Sequence, residues 1–353
     1  MIKYSALAHH DESSSFPAIA ASPERVALLL AGGDGTRLQE LTRQITGRPI
    51  PKQYCRLWHG SSLLEATISR ARLFASREQI SVVVNKNHLG IAEEQLAALP
   101  KANILVQPLN RDTGPGLLFA LLQLEKTHPD AVVALFPTDH FIDDDRAFTA
   151  HIVRAAHMIS QFPEKIAILG ITPERPESGF GYILPAAPLE NCEGVFQVGA
   201  FTEKPSLDRA RNIISCGGLW NTFVMVFKLS RMMELMMELM PEAFAAMSCL
   251  SKSLENADEV YRNVGAWNLS TQLLARIPQH LIALEVADVH WSDWGTRESI
   301  ERTYRALNMV PFWNPLSSVS TMLPANRKKR SLQSETRPPK IFLGAYPNSR
   351  TGS

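Results

Sequence analysis

A short apolar run that ends in glycines constrains the fold of this sequence more than any other feature. Residues 26–30 read VALLL, and residues 32–35 read GGDG. An uninterrupted apolar run of this length predicts a strand that is buried on both faces, as strands of a parallel sheet are. Glycines directly after such a strand let the backbone approach a phosphate, and consecutive N–H groups there can form an anion-binding nest. The turn after the first strand is therefore a candidate phosphate site.

The alternation of strands and helices continues along the chain. Apolar runs that predict strands occur at residues 82–84, 104–106, 131–136 and 166–169. Helical segments are predicted between them, at residues 62–74, 89–98, 116–126 and 146–160. The first of these begins with a capping-box pattern, Ser62 followed by Glu65. This order predicts an α/β fold with a doubly wound, mostly parallel, Rossmann-like sheet.

The regular alternation of predicted strands and helices ends after residue 170. Shorter strands are predicted there, at residues 179–182, 195–201, 223–227 and 281–286. Helices are predicted at 229–240 and 296–307. We therefore expect the mostly parallel sheet to be mixed and to be accompanied by a smaller β-containing part.

Length and charge predict one large domain with two tails. Single cores stop growing near ~250–300 residues, and the chain has 353. We expect a flexible extension at residues 1–22, a folded domain at 23–311 and a disordered basic tail at 312–353. Residues 317–353 carry seven Lys or Arg and one acid, so the net charge of +1 leaves −5 on residues 1–316. A body of that charge disfavours nucleic-acid binding.

Cysteine usage and hydropathy predict a cytoplasmic protein. The four cysteines are far apart and form no CxxC pair, which indicates neither a zinc site nor a disulfide framework. No apolar stretch reaches the ~20 residues of a membrane span, so membrane insertion is not expected.

Three phosphate-binding patterns were compared with the glycine-rich segment, and two of them do not match it. A dinucleotide-binding turn would need a third glycine where Leu38 stands, and an acid where residues 85–87 read NKN. The consensus of a Walker P-loop is also absent. The remaining interpretation places Arg37 against a triphosphate, because arginine suits bidentate phosphate binding, with Lys52 as a second cation. A tight turn that binds nothing stays open for the segment taken alone.

At this point the sequence resembles a known family. AGGDGTR at residues 31–37 and PKQ at 51–53 look like the signature of sugar-phosphate nucleotidyltransferases. Six further family motifs follow in order: QPLNRDTGP (107–115), FPTDH (136–140), RPESGFGYI (175–183), FTEKP (201–205), LWN (219–221) and WSDWG (291–295). The set is similar to the mannose-1-phosphate guanylyltransferase branch and covers residues 25 to about 305.

The resemblance implies an activity and its partners. It implies Mg²⁺-dependent transfer of a nucleotidyl group from a nucleoside triphosphate to a sugar 1-phosphate, with GTP and mannose 1-phosphate as the first choice. A uridylyl- or thymidylyltransferase that acts on glucose 1-phosphate stays an alternative. Whether the chain also binds a second copy of itself, as a homo-oligomer, is left open.

The resemblance also implies the site residues. Catalytic roles fall to Arg37, Lys52, Asp139, Lys204 and Asp293, of which Asp139 and Asp293 would bind Mg²⁺. The residues implied to bind the nucleotide are Ala31, Gly32, Gly33, Gly35, Thr36, Arg37, Gln107, Arg111 and Thr113. The residues implied to bind the sugar phosphate are Glu177, Gly181, Glu203, Lys204 and Asn221. Each of the two aspartates could instead cap the helix that follows it.

Some positions depart from the family pattern. Asp112 and Gly114 replace the usual Asn and Ala, Thr222-Phe223 replaces Ser-Gly, and an acidic residue is missing around residues 268–270. These departures keep a second class open, a non-catalytic regulatory paralogue that binds a nucleotide sugar.

Overall fold

The computed structural model describes residues 24–314. The predicted N-terminal extension lies outside this range, as does the predicted basic tail from residue 315 onwards. Contacts group the chain into a unit that ends at Met309 and a second unit that begins at Val310. The strands of the described part are β1 (Arg25–Ala31), β2 (Ile80–Asn85), β3 (Ile104–Gln107), β4 (Val132–Pro137), β5 (Phe141–Ile142), β6 (Ile166–Ile171), β7 (Gly181–Pro188), β8 (Val195–Glu203), β9 (Leu219–Lys228), β10 (Leu281–Val286) and β11 (Trp291–Ser292).

Helices connect most of these strands. The α-helices are α1 (Gln39–Thr46), α2 (Leu63–Ala71), α3 (Leu89–Leu96), α4 (Thr113–Leu124), α5 (Asp145–Gln161), α6 (Leu207–Ser215), α7 (Leu229–Leu239), α8 (Pro241–Met247), α9 (Ala257–Asn263), α10 (Leu269–Gln272) and α11 (Arg297–Ala306). None of the helices in the described range has the length and apolar character that a bilayer crossing needs.

Nine strands form one mixed sheet in the order β3-β2-β1-β4-β9-β6-β10-β8-β7. Strands β1 to β4 are parallel to one another, and so are β6 and β10. Strand β9 runs antiparallel between β4 and β6, and β8 antiparallel between β10 and β7. The expected α/β fold with a mostly parallel, mixed sheet is confirmed, and the smaller β-containing part is a continuation of the same sheet.

The register places the carboxyl ends of three strands side by side. Leu30 of β1 lies opposite Val83 of β2 and Pro137 of β4. All residues from Val26 to Leu29 are fully buried, because the sheet is covered on both faces at β1. The glycine-rich turn after β1 therefore begins at the edge where open α/β sheets bind ligands.

Strand β9 opens a gap in the sheet near this edge. Strand β4 pairs with residues 225–228 of β9, and β7 pairs with residues 219 and 220. Residues 221–224 lie between these two pairings and pair with neither β4 nor β7, so a gap separates β4 from β7 along this side of β9. The register of β9 against β6 also shifts here, between Ile168 and Gly170.

Side-chain caps fix where the helices begin. The Ser62 hydroxyl accepts the N–H of Glu65, and the Glu65 carboxylate accepts the N–H of Ser62, so the predicted capping box is present. Helix α5 is capped by Asp144 and helix α11 by Thr296. The structure therefore removes the interpretation of Asp139 and Asp293 as helix caps.

Asp112 and Gly114, which depart from the family pattern, contact residues 267 and 268, at the segment where the family's acidic residue is missing. A Cβ added to Gly114 would lie 2.1 Å from the ring of Trp267, and the Gly114 N–H donates to the Trp267 carbonyl at 3.1 Å. The Asn268 amide donates to the Asp112 carboxylate at 3.2 Å. The changes at 112 and 114 and those near 268 thus form one packed unit at the N-terminus of α4.

We predict that Gly114→Ala destabilises the fold by about 1–3 kcal/mol, because the methyl group would overpack a buried indole. Gly90→Ala is the matched control: Gly90 is likewise the second residue of its helix, and no atom lies within 4 Å of its added Cβ. Chemical denaturation measures both free energies of unfolding. The packing argument is wrong if the two variants are equally stable.

Candidate active site

A cavity of about 610 Å³ lies at the carboxyl ends of β1, β2, β3 and β4. Its walls include the glycine-rich turn, the start of α4 and the gap in β9. The predicted site residues that line it are Gly32, Gly33, Gly35, Gln107, Thr113, Asp139, Gly181, Glu203, Asn221 and Asp293. Residues from distant parts of the sequence therefore meet at the edge where a ligand was expected.

The turn at residues 52–54 fixes the glycine-rich segment. The Gln53 amide donates to the carbonyls of Ala31 (3.1 Å) and Gly33 (2.7 Å), and the Tyr54 hydroxyl donates to the Ala31 carbonyl at 2.6 Å. Gly35 has a left-handed φ of 58°, and an added Cβ would lie 3.0 Å from the backbone nitrogen of Lys52. Glycine is needed at 35 for both reasons.

Lys52 connects the two predicted metal ligands. Its ammonium donates to the carbonyls of Asp293 (2.6 Å) and Trp294 (3.0 Å), and lies 3.2 Å from the Asp139 carboxylate. The side chain of Lys52 is only 7% exposed, whereas that of Asp139 is 38% exposed. The structure brings Lys52, Asp139 and Asp293 together, with the ammonium directed at the two aspartate segments.

The surroundings of Asp139 keep its carboxylate ionised. Burial acts to raise the pKa of Asp139, but the charge and hydrogen bond of Lys52 together with the charges of His140 and Arg37 outweigh it, so the pKa lies below its usual range. Burial lowers the pKa of the neighbouring His140. The Trp291 indole donates to His140 Nδ1 at 3.3 Å, so the neutral ring carries its proton on Nε2, which faces Asp139 at 3.5 Å. His140 is thus a packed, hydrogen-bonded histidine.

The donor set fits a divalent cation that is shared with a phosphate. Among the described lining residues there are five carboxylates and no lysine or arginine; the five are Asp34, Asp112, Asp139, Glu203 and Asp293. Mg²⁺ typically binds through one or two carboxylates and completes its shell with water and substrate phosphates. Within residues 24–314 no group of three or more His, Cys, Asp or Glu is placed to hold a metal. Asp139 and Asp293 suit a site in which two protein carboxylates and a substrate phosphate share the cation.

Arg37, Thr36 and Lys204 are placed outside the lining. Arg37 and Thr36 are exposed, and the Arg37 guanidinium lies 3.1 Å from the position that a Gly295 Cβ would take, beside Asp293. Lys204 is 61% exposed, and its ammonium lies 3.5 Å from the Glu203 carboxylate. Both long cations can therefore reach a ligand only from outside the lining.

The structure does not bring Arg111 or Glu177 to the cavity lining. The Arg111 guanidinium donates to the carbonyls of Tyr261 (2.8 Å) and Arg262 (3.0 Å). The Glu177 carboxylate pairs with Arg175 at 2.6 Å and with Arg302 at 3.7 Å. In this arrangement Arg111 holds the C-terminal end of α9, and Glu177 ties the loop before β7 to α11.

Gln107 and Gly181 show how closely the lining is packed. The side-chain oxygen of Gln107 is buried and has no hydrogen-bond partner among the described residues. A Cβ on Gly32 would lie 2.5 Å from the Gln107 amide nitrogen, and one on Gly181 would lie 2.7 Å from the Glu203 carboxylate. An unpaired buried acceptor at the cavity is suited to a ligand N–H or O–H.

A family profile described as "Nucleotidyl transferase" matches residues 26–308. The chain belongs to this nucleotidyl transferase family. The resemblance that the motifs predict is thereby confirmed, and the match spans the folded body that carries all eight motifs.

Relatives and solved structures agree with this membership. The chain is 35% identical over 212 residues to alginate biosynthesis protein AlgA of Pseudomonas aeruginosa, which is 59% of this chain and 43% of that protein. It is 28% identical over 238 residues to a mannose-1-phosphate guanylyltransferase of Klebsiella pneumoniae, 66% of this chain and 49% of that one. The alignments thus cover less than half of each relative. A crystal structure of mannose-1-phosphate geranyltransferase from Thermus thermophilus matches with a TM-score of 0.71 and 27% identity, over 80% of this chain and 79% of that one.

Other residues that line this cavity were not predicted from the sequence. Asp34 and Asn110 line it and are joined by a 2.8 Å hydrogen bond. Phe223 also lines it and has a left-handed φ of 61°, held by a hydrogen bond from its N–H to the Asn221 side chain at 3.0 Å. An aromatic residue in that conformation costs about 1–3 kcal/mol and persists only where the surroundings fix it. The replacement of the family's glycine by Phe223 is the sequence signal that could have identified this position as part of the cavity.

We predict that Gly295→Ala weakens the binding of Mn²⁺, used as a probe in place of Mg²⁺, by about tenfold, because disturbing the groups that orient a metal ligand typically costs that much affinity. The added Cβ would lie 2.6 Å from the Asp293 carboxylate and 3.1 Å from Arg37, so both side chains must move. Gly179→Ala is the control, since Gly179 lines the cavity but has no atom within 4 Å of its added Cβ. Electron paramagnetic resonance of Mn²⁺ measures the affinities. Unchanged binding in Gly295→Ala would remove Asp293 from the metal site.

Proposed function

We propose that the protein is a Mg²⁺-dependent nucleotidyltransferase that makes a nucleotide sugar and pyrophosphate from a nucleoside triphosphate and a sugar 1-phosphate. One observation carries the proposal: the glycine-rich turn and the carboxylates of Asp139 and Asp293 line the same cavity at the carboxyl ends of the strands. A phosphate-binding turn and a pair of cation-binding carboxylates on one cavity suit a reaction between two phosphates.

Such a transfer needs positioning and charge neutralisation more than proton transfer. An oxygen of the sugar 1-phosphate attacks the α-phosphate in line, the bond to the β-phosphate breaks, and pyrophosphate leaves. The attacking phosphate is already ionised near neutral pH, so no strong general base is required. Asp139 and Asp293 would hold Mg²⁺, which when bound supplies positive charge to the phosphates.

The cations at the rim complete the proposed site. Arg37, beside the Asp293 loop, is suited to bidentate contact with the triphosphate. Lys204 would contact the sugar phosphate, and Glu203 and Asn221, which line the cavity, the sugar hydroxyls. Gln107 and Thr113 would lie near the base or ribose. The partners of Arg111 and Glu177 leave both side chains with structural roles in this proposal.

GTP and mannose 1-phosphate are the proposed substrates, and GDP-mannose the product. The motif set supports this choice, as does the similarity to a protein named mannose-1-phosphate guanylyltransferase. The similarity to an alginate biosynthesis protein supports a role in supplying nucleotide sugar for polysaccharide synthesis in the cytoplasm. We also propose that residues 23–311 are the catalytic domain.

We expect pyrophosphate release to be fastest with GTP and mannose 1-phosphate when a matrix of nucleoside triphosphates and sugar 1-phosphates is assayed with Mg²⁺, and to cease with EDTA. Faster release with UTP or dTTP and glucose 1-phosphate would replace the proposed substrates. Release from none of the pairs would support a non-catalytic paralogue that binds nucleotide sugar.

Asp139→Asn should lower kcat by about 10²-fold or more, because it removes one negative charge at the cation site without changing side-chain volume. Asp130→Asn, at the opposite end of β4 and exposed, is the control and should retain wild-type turnover. Steady-state pyrophosphate release at saturating Mg²⁺ measures both. Full Mg²⁺-dependent turnover in Asp139→Asn would exclude this carboxylate as a metal ligand.

A further inference from the structure

We infer that Phe223 is a specificity-determining residue, whose phenyl ring restricts the sugar side of the cavity to sugar 1-phosphates that carry no bulky ring substituent. The inference rests on the proposed function for the reaction and for the sugar contacts of Glu203 and Asn221. Three features carry it: the backbone of β9, the position of the ring and the residues beside it.

Strand β9 holds Phe223 in a conformation that suits glycine better. Its φ of 61° lies in the left-handed region, which glycine adopts freely and a residue with a side chain does not. Two hydrogen bonds fix this turn: the Phe223 N–H donates to the Asn221 side chain at 3.0 Å, and the Val224 N–H donates to the Thr222 hydroxyl at 3.2 Å. An unfavourable conformation that its surroundings fix beside a cavity is typical of a functional residue.

The phenyl ring of Phe223 belongs partly to the core and partly to the cavity wall. It is half-buried, packs against the buried apolar cluster and lines the cavity. It also lies within residues 221–224, which pair with neither β4 nor β7. The ring therefore takes up space at the gap in the sheet, which the glycine of the family pattern would leave to a ligand.

The groups proposed to bind the sugar adjoin this part of the strand. A Cβ on Gly181 would lie 2.7 Å from the Glu203 carboxylate and 3.4 Å from the Cβ of Asn221, so these three residues form one group. Asn221 is two residues from Phe223 and accepts its N–H. The same turn thus places a polar side chain and an aromatic ring at the sugar side of the cavity.

An aromatic wall beside hydrogen-bonding groups selects a ligand by size and polarity. The Phe223 ring has no hydrogen-bonding group, so it suits a C–H edge of a hexose, and an amide turned towards it would be buried unpaired. Because the ring packs on the core, it cannot move away from a larger substituent without disturbing that packing. One methylene in an apolar pocket changes the specificity by about 10–200-fold, and an acetamido group is larger than a methylene.

Phe223→Gly, Phe223→Ala and Phe223→Leu test the inference on the full chain. Steady-state pyrophosphate release with GTP and Mg²⁺ gives kcat/KM for mannose 1-phosphate and for N-acetylglucosamine 1-phosphate, and the ratio of the two is the sugar preference. Asn308→Gly is the control, because Asn308 also has a left-handed φ, of 56°, but is exposed and does not line the cavity.

A wall formed by the ring predicts a specific pattern. The preference for mannose 1-phosphate should fall about tenfold or more in both Phe223→Gly and Phe223→Ala. Alanine keeps the unfavourable φ, so an equal change in the two variants assigns the effect to the ring and not to the backbone. Phe223→Leu, which keeps apolar bulk, and Asn308→Gly should stay within about threefold of the wild type. The KM for GTP should also stay within about threefold, since no uniform contact with the nucleotide is lost.

An unchanged preference in Phe223→Gly and Phe223→Ala would overturn the inference. A change in the glycine variant alone would also overturn it, because backbone freedom would then be the cause. A KM for GTP that rises about tenfold with an unchanged sugar preference would place the ring at the nucleotide, against the inference.

If the wild-type chain releases pyrophosphate from none of the substrate pairs, the proposed function fails. Calorimetric titration with the two sugar phosphates then tests the ring separately. A relative affinity that shifts about tenfold towards N-acetylglucosamine 1-phosphate in Phe223→Gly would support the inference. An unchanged relative affinity, or no binding of either sugar phosphate to the wild type, would refute it.

Discussion

The contacts of one short turn, residues 52–54, join the glycine-rich turn to the two aspartate segments of the cavity wall. Lys52 binds the two aspartate segments, while Gln53 and Tyr54 bind the carbonyls of the glycine-rich turn. The turn therefore fixes the distance between the expected phosphate site and the expected cation site. Because a ligand that bridges the two sites needs one fixed geometry, preorganisation of this kind lowers the cost of binding and of reaching the transition state.

Continuous apolar runs made the sheet predictable from sequence. Strands β1, β2, β4 and β6 are buried on both faces, and each appears in the sequence as an uninterrupted apolar segment. The capping box of α2 could be read in the same way, because both partners are local in sequence. Helices α1 and α6 were not predicted. Each buries at most two residues, so neither leaves a strong apolar signal.

Side-chain partners that are distant in sequence could not be predicted. Motif position suggested that Arg111 and Glu177 face a ligand, but each finds protein partners closer, the carbonyls of residues 261 and 262 and the guanidinium groups of residues 175 and 302. The departures from the family pattern behave differently. Asp112 and Gly114 contact Asn268 and Trp267, so these departures lie in one packed unit at the N-terminus of α4. Phe223, which stands where the family pattern has glycine, is part of the cavity wall itself.

The charge of the cavity links the two ligands that it is proposed to bind. With five carboxylates and no lysine or arginine among its described lining residues, the lining repels a triphosphate and attracts a cation. A divalent cation at Asp139 and Asp293 would offset two of these negative charges, and the phosphate would in turn complete the coordination that two carboxylates leave open. In the proposed function, metal and nucleotide would therefore bind as one linked event. Each would raise the affinity of the other by the same factor, because the coupling free energy is shared.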